Sequence, residues 1–504
     1  MEKQEKSSSS LPELADTKQP VEEYKPDDDE LGQLTEIEYT PEEDRRVLRK
    51  LDLLCIPMMG LCYMMQYMDK LALSQATLFN IREDLDLQGS NYSWTSAIFY
   101  FGYLAWSWPS SYLMVRLPIG KYISSTVLVW GAVLMCHAAT KNYGGLLAAR
   151  FFLGVGEASI APGFALITGF LYKREEQPAR QAAWFFGNSV ANVIGGVIAY
   201  GIGTAEGVAV NSWQLLFLAL GAITAGMFFW LIVLLPDSPQ KAVFLTKRER
   251  GILLRRTVEN KSIVTTGDFK FHQAWLALKD PQTWFLVLYT FCVNLWNGGT
   301  TSFSAIIING FGFGRLESLL LQMPMGAAQC LFLVISAAIA TYVPRTRVIL
   351  MIFNTAVSMV GAILVWQLDA DNQRGRLTGL ALAAVFGANI PLAMSLISAN
   401  VAGFTKRSVT SVLTFVAYCV GNIVGPQLFL ESEEPNYPTG MKGAISGLAL
   451  GCFFLFCLLF YYLWENKRRD RKYGPAVPLT EEEERAQGLA HKTDLEIENF
   501  RYLI

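Results

Sequence analysis

Apolar residues run in blocks along most of the chain, many about 20 long, the length a helix needs to cross a hydrocarbon core. Twelve such windows stand near 51–74, 93–115, 121–140, 144–172, 181–203, 213–235, 282–304, 317–342, 346–367, 377–401, 407–430 and 443–464. One long polar stretch, 236–281, separates the sixth from the seventh. The pattern predicts an all-α polytopic membrane protein of twelve transmembrane helices in two six-helix halves, 49–235 and 282–466. A central loop joins the halves, and polar tails occupy 1–48 and 467–504.

Composition agrees with the pattern: 52% of the 504 residues are hydrophobic and only 17% are charged. A soluble globule carries roughly 25% charged residues to coat its surface. Secreted, fibrous and nucleic-acid-binding classes therefore drop out. The net charge is only −2, but residues 1–44 hold 15 acids against 4 bases. That acidic, Ser- and Pro-rich stretch buries too little apolar surface to offset its ordering entropy, so disorder is expected there. The sequence opens without a basic n-region and apolar h-region, and the first span is expected to direct insertion itself.

Basic residues beside the spans give an orientation. With the N-terminus inside, the inner segments carry 27 Lys and Arg and the outer segments 6, so both termini are expected to be cytoplasmic, in the plasma membrane. Asn91-Tyr-Ser93 is then a glycosylation sequon on an outer loop, and Asn260-Lys-Ser262 is cytoplasmic and bare. The eight cysteines fall inside apolar blocks without a C-x-x-C pair, and the three histidines are scattered. No Gly-Lys-Ser/Thr phosphate loop is present either, so no cofactor, metal or ATP chemistry is expected.

Internal likeness between the halves appears in Lys173-Arg174 and Lys406-Arg407, and again in Gly187-Asn188 and Gly421-Asn422. Duplicated halves imply rocking about a site near the midplane. Four ionisable residues lie inside spans, where they should face a cavity or a partner: Asp69 and Lys70 in span 1, Arg150 and Glu157 in span 4. Arg150 and Glu157 are two helical turns apart on one face, about 10 Å along the axis. Opposite span directions allow an Asp69–Arg150 contact. Two readings follow. One is a structural ion pair between helices. The other is a site in which Lys70 or Arg150 attracts an anion while Asp69 or Glu157 binds a driving proton; an anion competing for the cation would free the carboxylate for protonation.

The second half offers neutral polar groups: Asn294, Trp296 and Asn297 in span 7, Gln322 and Gln329 in span 8, Asn389 in span 10, Asn422 in span 11. Each is interhelical glue or a ligand contact, with Asn294 and Asn389 the candidates for substrate binding. Glycines and Pro162 interrupt span 4. The loop stretch from Phe244 to Arg256 is basic and amphipathic, a pattern suited to lying on an anionic leaflet.

Over residues 50–470 the chain resembles the major facilitator superfamily, and within it the anion:cation symporter group and the fungal allantoate permease family. The resemblance rests on Tyr67-Met-Asp69-Lys70, on Arg150-Phe-Phe-Leu-Gly154-Val-Gly156-Glu157 through Ala161-Pro162-Gly163, and on Leu235-Pro236-Asp237-Ser238-Pro239. Leu278-Lys-Asp280-Pro281-Gln-Thr-Trp284, Asn297-Gly-Gly299 and Gly425-Pro-Gln427 add to it. It implies that Asp69 and Lys70 are the acid–base pair of span 1, where many relatives have Arg at the second place. It further implies that Arg150 and Glu157 are the cation and protonatable acid of span 4, and that Tyr67 contacts substrate. The turn Met114-Val-Arg116-Leu-Pro-Ile-Gly120-Lys121 lacks the acid that the superfamily places there. The leading expectation is a monomeric, proton-coupled importer of a small organic anion of vitamin, ureide or carboxylate type. An exporter on the same fold and a non-transporting nutrient sensor are the alternatives; no nucleophile–base or metal constellation supports an enzyme.

Overall fold

The computed structural model describes residues 39–173, 176–205, 207, 209–259, 269–475 and 492–504. Most of the acidic tail, Asn260 and His491 lie outside the described residues. Twelve long helices follow in order: α1 Pro41–Ala76, α2 Asn91–Arg116, α3 Ile119–Ala139, α4 Tyr143–Leu171, α5 Gln177–Gly203 and α6 Ser212–Leu234 make the first half. The second half holds α7 Pro281–Gly310, α8 Arg315–Tyr342, α9 Arg347–Gln367, α10 Gln373–Asn400, α11 Phe404–Gln427 and α12 Pro438–Tyr473.

Nine of the twelve are apolar enough along their length to cross a membrane by that test alone; α1, α2 and α7 are not among them. The reason is visible in their residues. Asp69 and Lys70 in α1, a run of Ser, Tyr and Trp in α2, and Asn294, Asn297 and several Thr in α7 dilute their hydropathy. Helices turned toward the interior need not present apolar atoms to lipid all round.

Close backbone approach sets the packing. A Cβ on Gly154 of α4 would lie 2.0 Å from the Phe99 carbonyl of α2, and one on Gly187 of α5 would lie 2.3 Å from the Gly60 carbonyl of α1. Small residues at such crossings let helices approach until their dispersion contacts replace those with lipid.

Both α4 and α10 are broken at mid-span. The first continuous segment of α4 ends at Glu157 and the second starts at Ile160. In α10, a 3-10 turn over Ala384–Ala388 separates Gln373–Ala383 from Asn389–Asn400. Pro162 and Pro391 each stand third in the second segment. The first-turn N–H groups of a helix have no intrahelical acceptor, so proline is tolerated there and disfavours an unbroken helix upstream.

Two boundaries differ from the pattern reading. Helix α1 begins at Pro41, inside the stretch that composition assigns to the tail, because Thr40 and Glu43 form a reciprocal capping box. At the other end α12 continues to Tyr473, and residues 492–504 return to the bundle. Asp494 is fully buried there, its carboxylate 2.8 Å from Lys406 Nζ, while Asn400 exchanges two 2.8 Å bonds with the Leu503 backbone.

The helix Lys247–Glu259 in the central loop docks on the first half instead of presenting all its bases to lipid. Arg248 pairs with Glu43 at 2.8 Å, Arg256 with Glu176 at 2.8 Å and with Asp44, and Lys50 with Glu249 at 2.7 Å.

Candidate substrate and proton site

The break in α4 sets Glu157 at the end of a helical segment, where its carbonyl accepts a 3.2 Å bond from Gln66 Nε2 of α1. Its carboxylate is fully buried and reaches Lys70 Nζ at 3.4 Å, while Lys70 retains 12% of its side-chain surface. That separation exceeds the 2.7–2.9 Å of a tight charge-assisted hydrogen bond. Neither Glu157 oxygen has a hydrogen-bond partner among the described residues.

Lys70 Nζ also lies 5.3 Å from the Phe99 ring centroid and 5.7 Å from that of Tyr103. Arg150 comes to Phe99 as well, its guanidinium carbon 5.7 Å from the centroid. Its Nε donates a long 3.4 Å bond to the Thr95 carbonyl, and its Nη1 has no partner among the described residues.

Asp69 is fully buried. Its Oδ2 accepts 2.7 Å from Trp130 Nε1 of α3, and its Oδ1 is unpartnered among the described residues. The Asp69–Arg150 contact allowed by span directions is not formed. The pair that meets is Lys70–Glu157, and Asp69 turns instead to an indole.

Tyr67, half-buried on α1, interacts with Thr301 of α7 and Asn192 of α5. Of the neutral groups in the second half, Gln322 bonds Gln75 at 3.2 Å and Gln329 bonds Asn192 at 3.3 Å, both across the interface between halves. Asn294, Asn297 and Asn422 form a chain of their own at 2.8–3.0 Å, stitching α7 to α11. Asn389 is buried; its amide nitrogen lies 2.9–3.0 Å from Tyr289, Met351 and Thr355, and its oxygen accepts from Asn354.

Trp130, Phe99, Tyr103 and Gln66 escape sequence reasoning, since aromatic and amide residues in spans are common and carry no spacing signal. The acid missing from the α2–α3 turn comes from elsewhere: Asp237, in Leu235-Pro236-Asp237, accepts the Lys121 amide at 3.1 Å.

The bonds joining the halves among the described residues lie between mid-depth and the face opposite the chain ends. Besides the glutamine pairs, Ser74 accepts the Ala305 amide at 3.1 Å, Tyr92 and Ser96 bond Ser302, and Arg82 pairs with Glu431 at 2.6 Å and Glu434 at 2.9 Å. That face is latched; Asn91 lies there, at the first turn of α2. Among the described residues no group of three His, Cys, Asp or Glu is placed to hold a metal ion.

Twelve long helices, two of them broken at mid-span, with buried charges on α1 and α4, have a counterpart among known families: the Major Facilitator Superfamily model matches residues 59–426. The chain belongs to the major facilitator superfamily. Among its relatives is an uncharacterized transporter of Schizosaccharomyces pombe, 38% identical over 92% of this chain and 88% of that one. The allantoate permease of Saccharomyces cerevisiae is 33% identical over 93% and 88%, and the thiamine pathway transporter THI73 of the same organism 31% identical over 91% and 86%. Among solved structures, the xylose transporter XylE from E. coli in a partially occluded inward open conformation superposes with TM-score 0.60 at 12% identity. That match covers 80% of this chain and 96% of the other. This major facilitator protein is thus a multi-pass membrane transporter, and not an enzyme.

Proposed function

We propose that this transporter moves a small organic anion together with protons by alternating access, as an importer working as a monomer in the plasma membrane with both termini cytoplasmic. The observation that carries the reading is the Lys70–Glu157 pair: a sealed carboxylate whose ion-pair partner among the described residues is loosely held and partly exposed. An incoming anion competes for Lys70. Glu157, left in a low-dielectric pocket without its counter-charge, then takes a proton, because burial favours the neutral carboxyl. Asp69 and Arg150 back this exchange from the same half. Tyr67 reaches substrate beside Lys70, and Asn294 of α7 and Asn389 of α10 contribute from the second half.

The latches on the face opposite the chain ends, with the basic residues clustered on the other, favour a cytoplasm-facing state in which Asn91 is extracellular and open to glycosylation. Likeness to an allantoate permease supports the anion class, and likeness in fold to a proton:xylose symporter is compatible with proton coupling.

Reconstitution into proteoliposomes with an imposed pH gradient tests the reading. Candidate carboxylates and ureides should enter saturably, faster when the outside is acid, and should carry protons with them. Glu157→Gln should leave the remaining flux insensitive to pH. Unchanged pH dependence in that variant would remove Glu157 from the coupling.

A further inference from the structure

An anion held at Lys70 meets a particular surface, and this inference rests on the reading just given. Ring contacts run without a gap from the first half to the second. Phe99 and Tyr103 of α2 stack at 5.8 Å with 28° between planes; Tyr103 meets Phe415 of α11 at 5.5 Å and 37°; Phe415 meets Tyr418 at 6.4 Å and 22°. Tyr100 closes against Tyr418 at 6.0 Å, edge to face. Lys70 stands over the first two rings of this series. The α2 rings are buried, whereas Phe415 and Tyr418, at mid-span, are half-buried.

We propose that Tyr418 and Phe415 form, with the α2 rings behind them, the specificity wall of the site, and that the anion selected carries its charge on a flat, conjugated frame. A carboxylate drawn to Lys70 can lay such a frame along the rings in the offset or edge-on arrangements that aromatic surfaces favour. A puckered or branched frame of equal charge and size leaves gaps against a flat wall and forfeits dispersion contacts. The wall has a second consequence. Its rings come from both halves, so a flat guest bridges α2 and α11 and its binding bears directly on their rocking.

Benzoate and cyclohexanecarboxylate separate shape from charge, since they match in charge and nearly in size but only the first is planar. Titrated against the purified full-length protein, with thermal stabilisation as readout, benzoate should half-saturate at about three- to tenfold lower concentration. Tyr418→Leu should bring the two acids to equality while leaving cyclohexanecarboxylate within about twofold of its original value. Tyr418→Phe should keep the preference and so shows that the position tolerates change.

Equal half-saturation in the unaltered protein, no stabilisation by either acid, or a preference that survives Tyr418→Leu combined with Phe415→Leu would overturn the wall. Lys70→Met tests the underlying reading separately. If both acids bind that variant undiminished, Lys70 is not the anion's partner, whereas the ratio between the acids still reports on the wall.

Discussion

Two of the buried clusters of paired charges are built differently. At the face carrying the chain ends, Lys406 is fully buried between Asp280 at 2.5 Å and Asp494 at 2.8 Å. The surrounding atoms are also engaged: Gln282 bonds both carboxylates at 2.6 and 3.1 Å, and Tyr502 donates to Asp494 at 2.9 Å. At mid-membrane, Lys70 and Glu157 stand 3.4 Å apart, with orphaned oxygens on Glu157 and Asp69 and an orphaned nitrogen on Arg150. A buried charge is costly unless its partners and hydrogen bonds repay desolvation. The first cluster repays it locally and fixes α7, α11 and the C-terminal segment together. The second leaves part of the cost outstanding, and under the function proposed above a proton and a guest anion would offset it.

Substitutions can break this contrast. Lys406→Met leaves two carboxylates buried without a cation and should destabilise the protein by about 3–5 kcal/mol, read as a lower unfolding temperature in detergent. Glu157→Gln should change stability by less than about 1 kcal/mol, because the charge it removes is buried without hydrogen bonds and the Lys70 it leaves behind keeps access to water; a drop as large as that of Lys406→Met would make the central pair structural.

Asp494→Asn should cost less than Lys406→Met. Burial pushes the Asp494 carboxyl above its ordinary range, Lys406 pulls it down, and nearby Asp280 pushes it up again. An acid with a raised folded pKa contributes stability that is present at low pH and lost as pH rises through that value. Amide protection of residues 494–504 should therefore increase as pH falls toward the carboxylate range.

Glu249 gives the smallest effect, with the opposite sign. Burial alone would raise it, but Lys50 and the Thr246 amide outweigh burial and hold it below the usual carboxylate range. Docking of Lys247–Glu259 should be intact above that range and weaken as pH falls through the depressed value. Hydrogen exchange across the two segments at several pH values reads both trends in one experiment.

Much of this was legible in the sequence, and the gaps have physical causes. Apolar windows located all twelve helices, and the cost of charge in lipid singled out Asp69, Lys70, Arg150 and Glu157. Span direction fixes depth but not rotation about the helix axis. That is why span direction allows an Asp69–Arg150 contact but does not reveal that Glu157 meets Lys70. Lys406 reads as one more basic residue beside a span, and Asp494 as part of a polar tail, because nothing local announces that 492–504 folds back. Asn294 and Asn422 carry a signal as polar residues in spans, but that signal does not say that they bond each other.

In the transport cycle proposed here, the anion and the proton exchange places at Lys70 and Glu157. The most direct test of this exchange is to count protons taken up when a transported anion is added to the detergent-solubilised protein in weakly buffered solution. The unaltered protein should take up protons, and Glu157→Gln should take up none even where the anion still binds. Equal proton uptake by the two proteins would contradict the exchange.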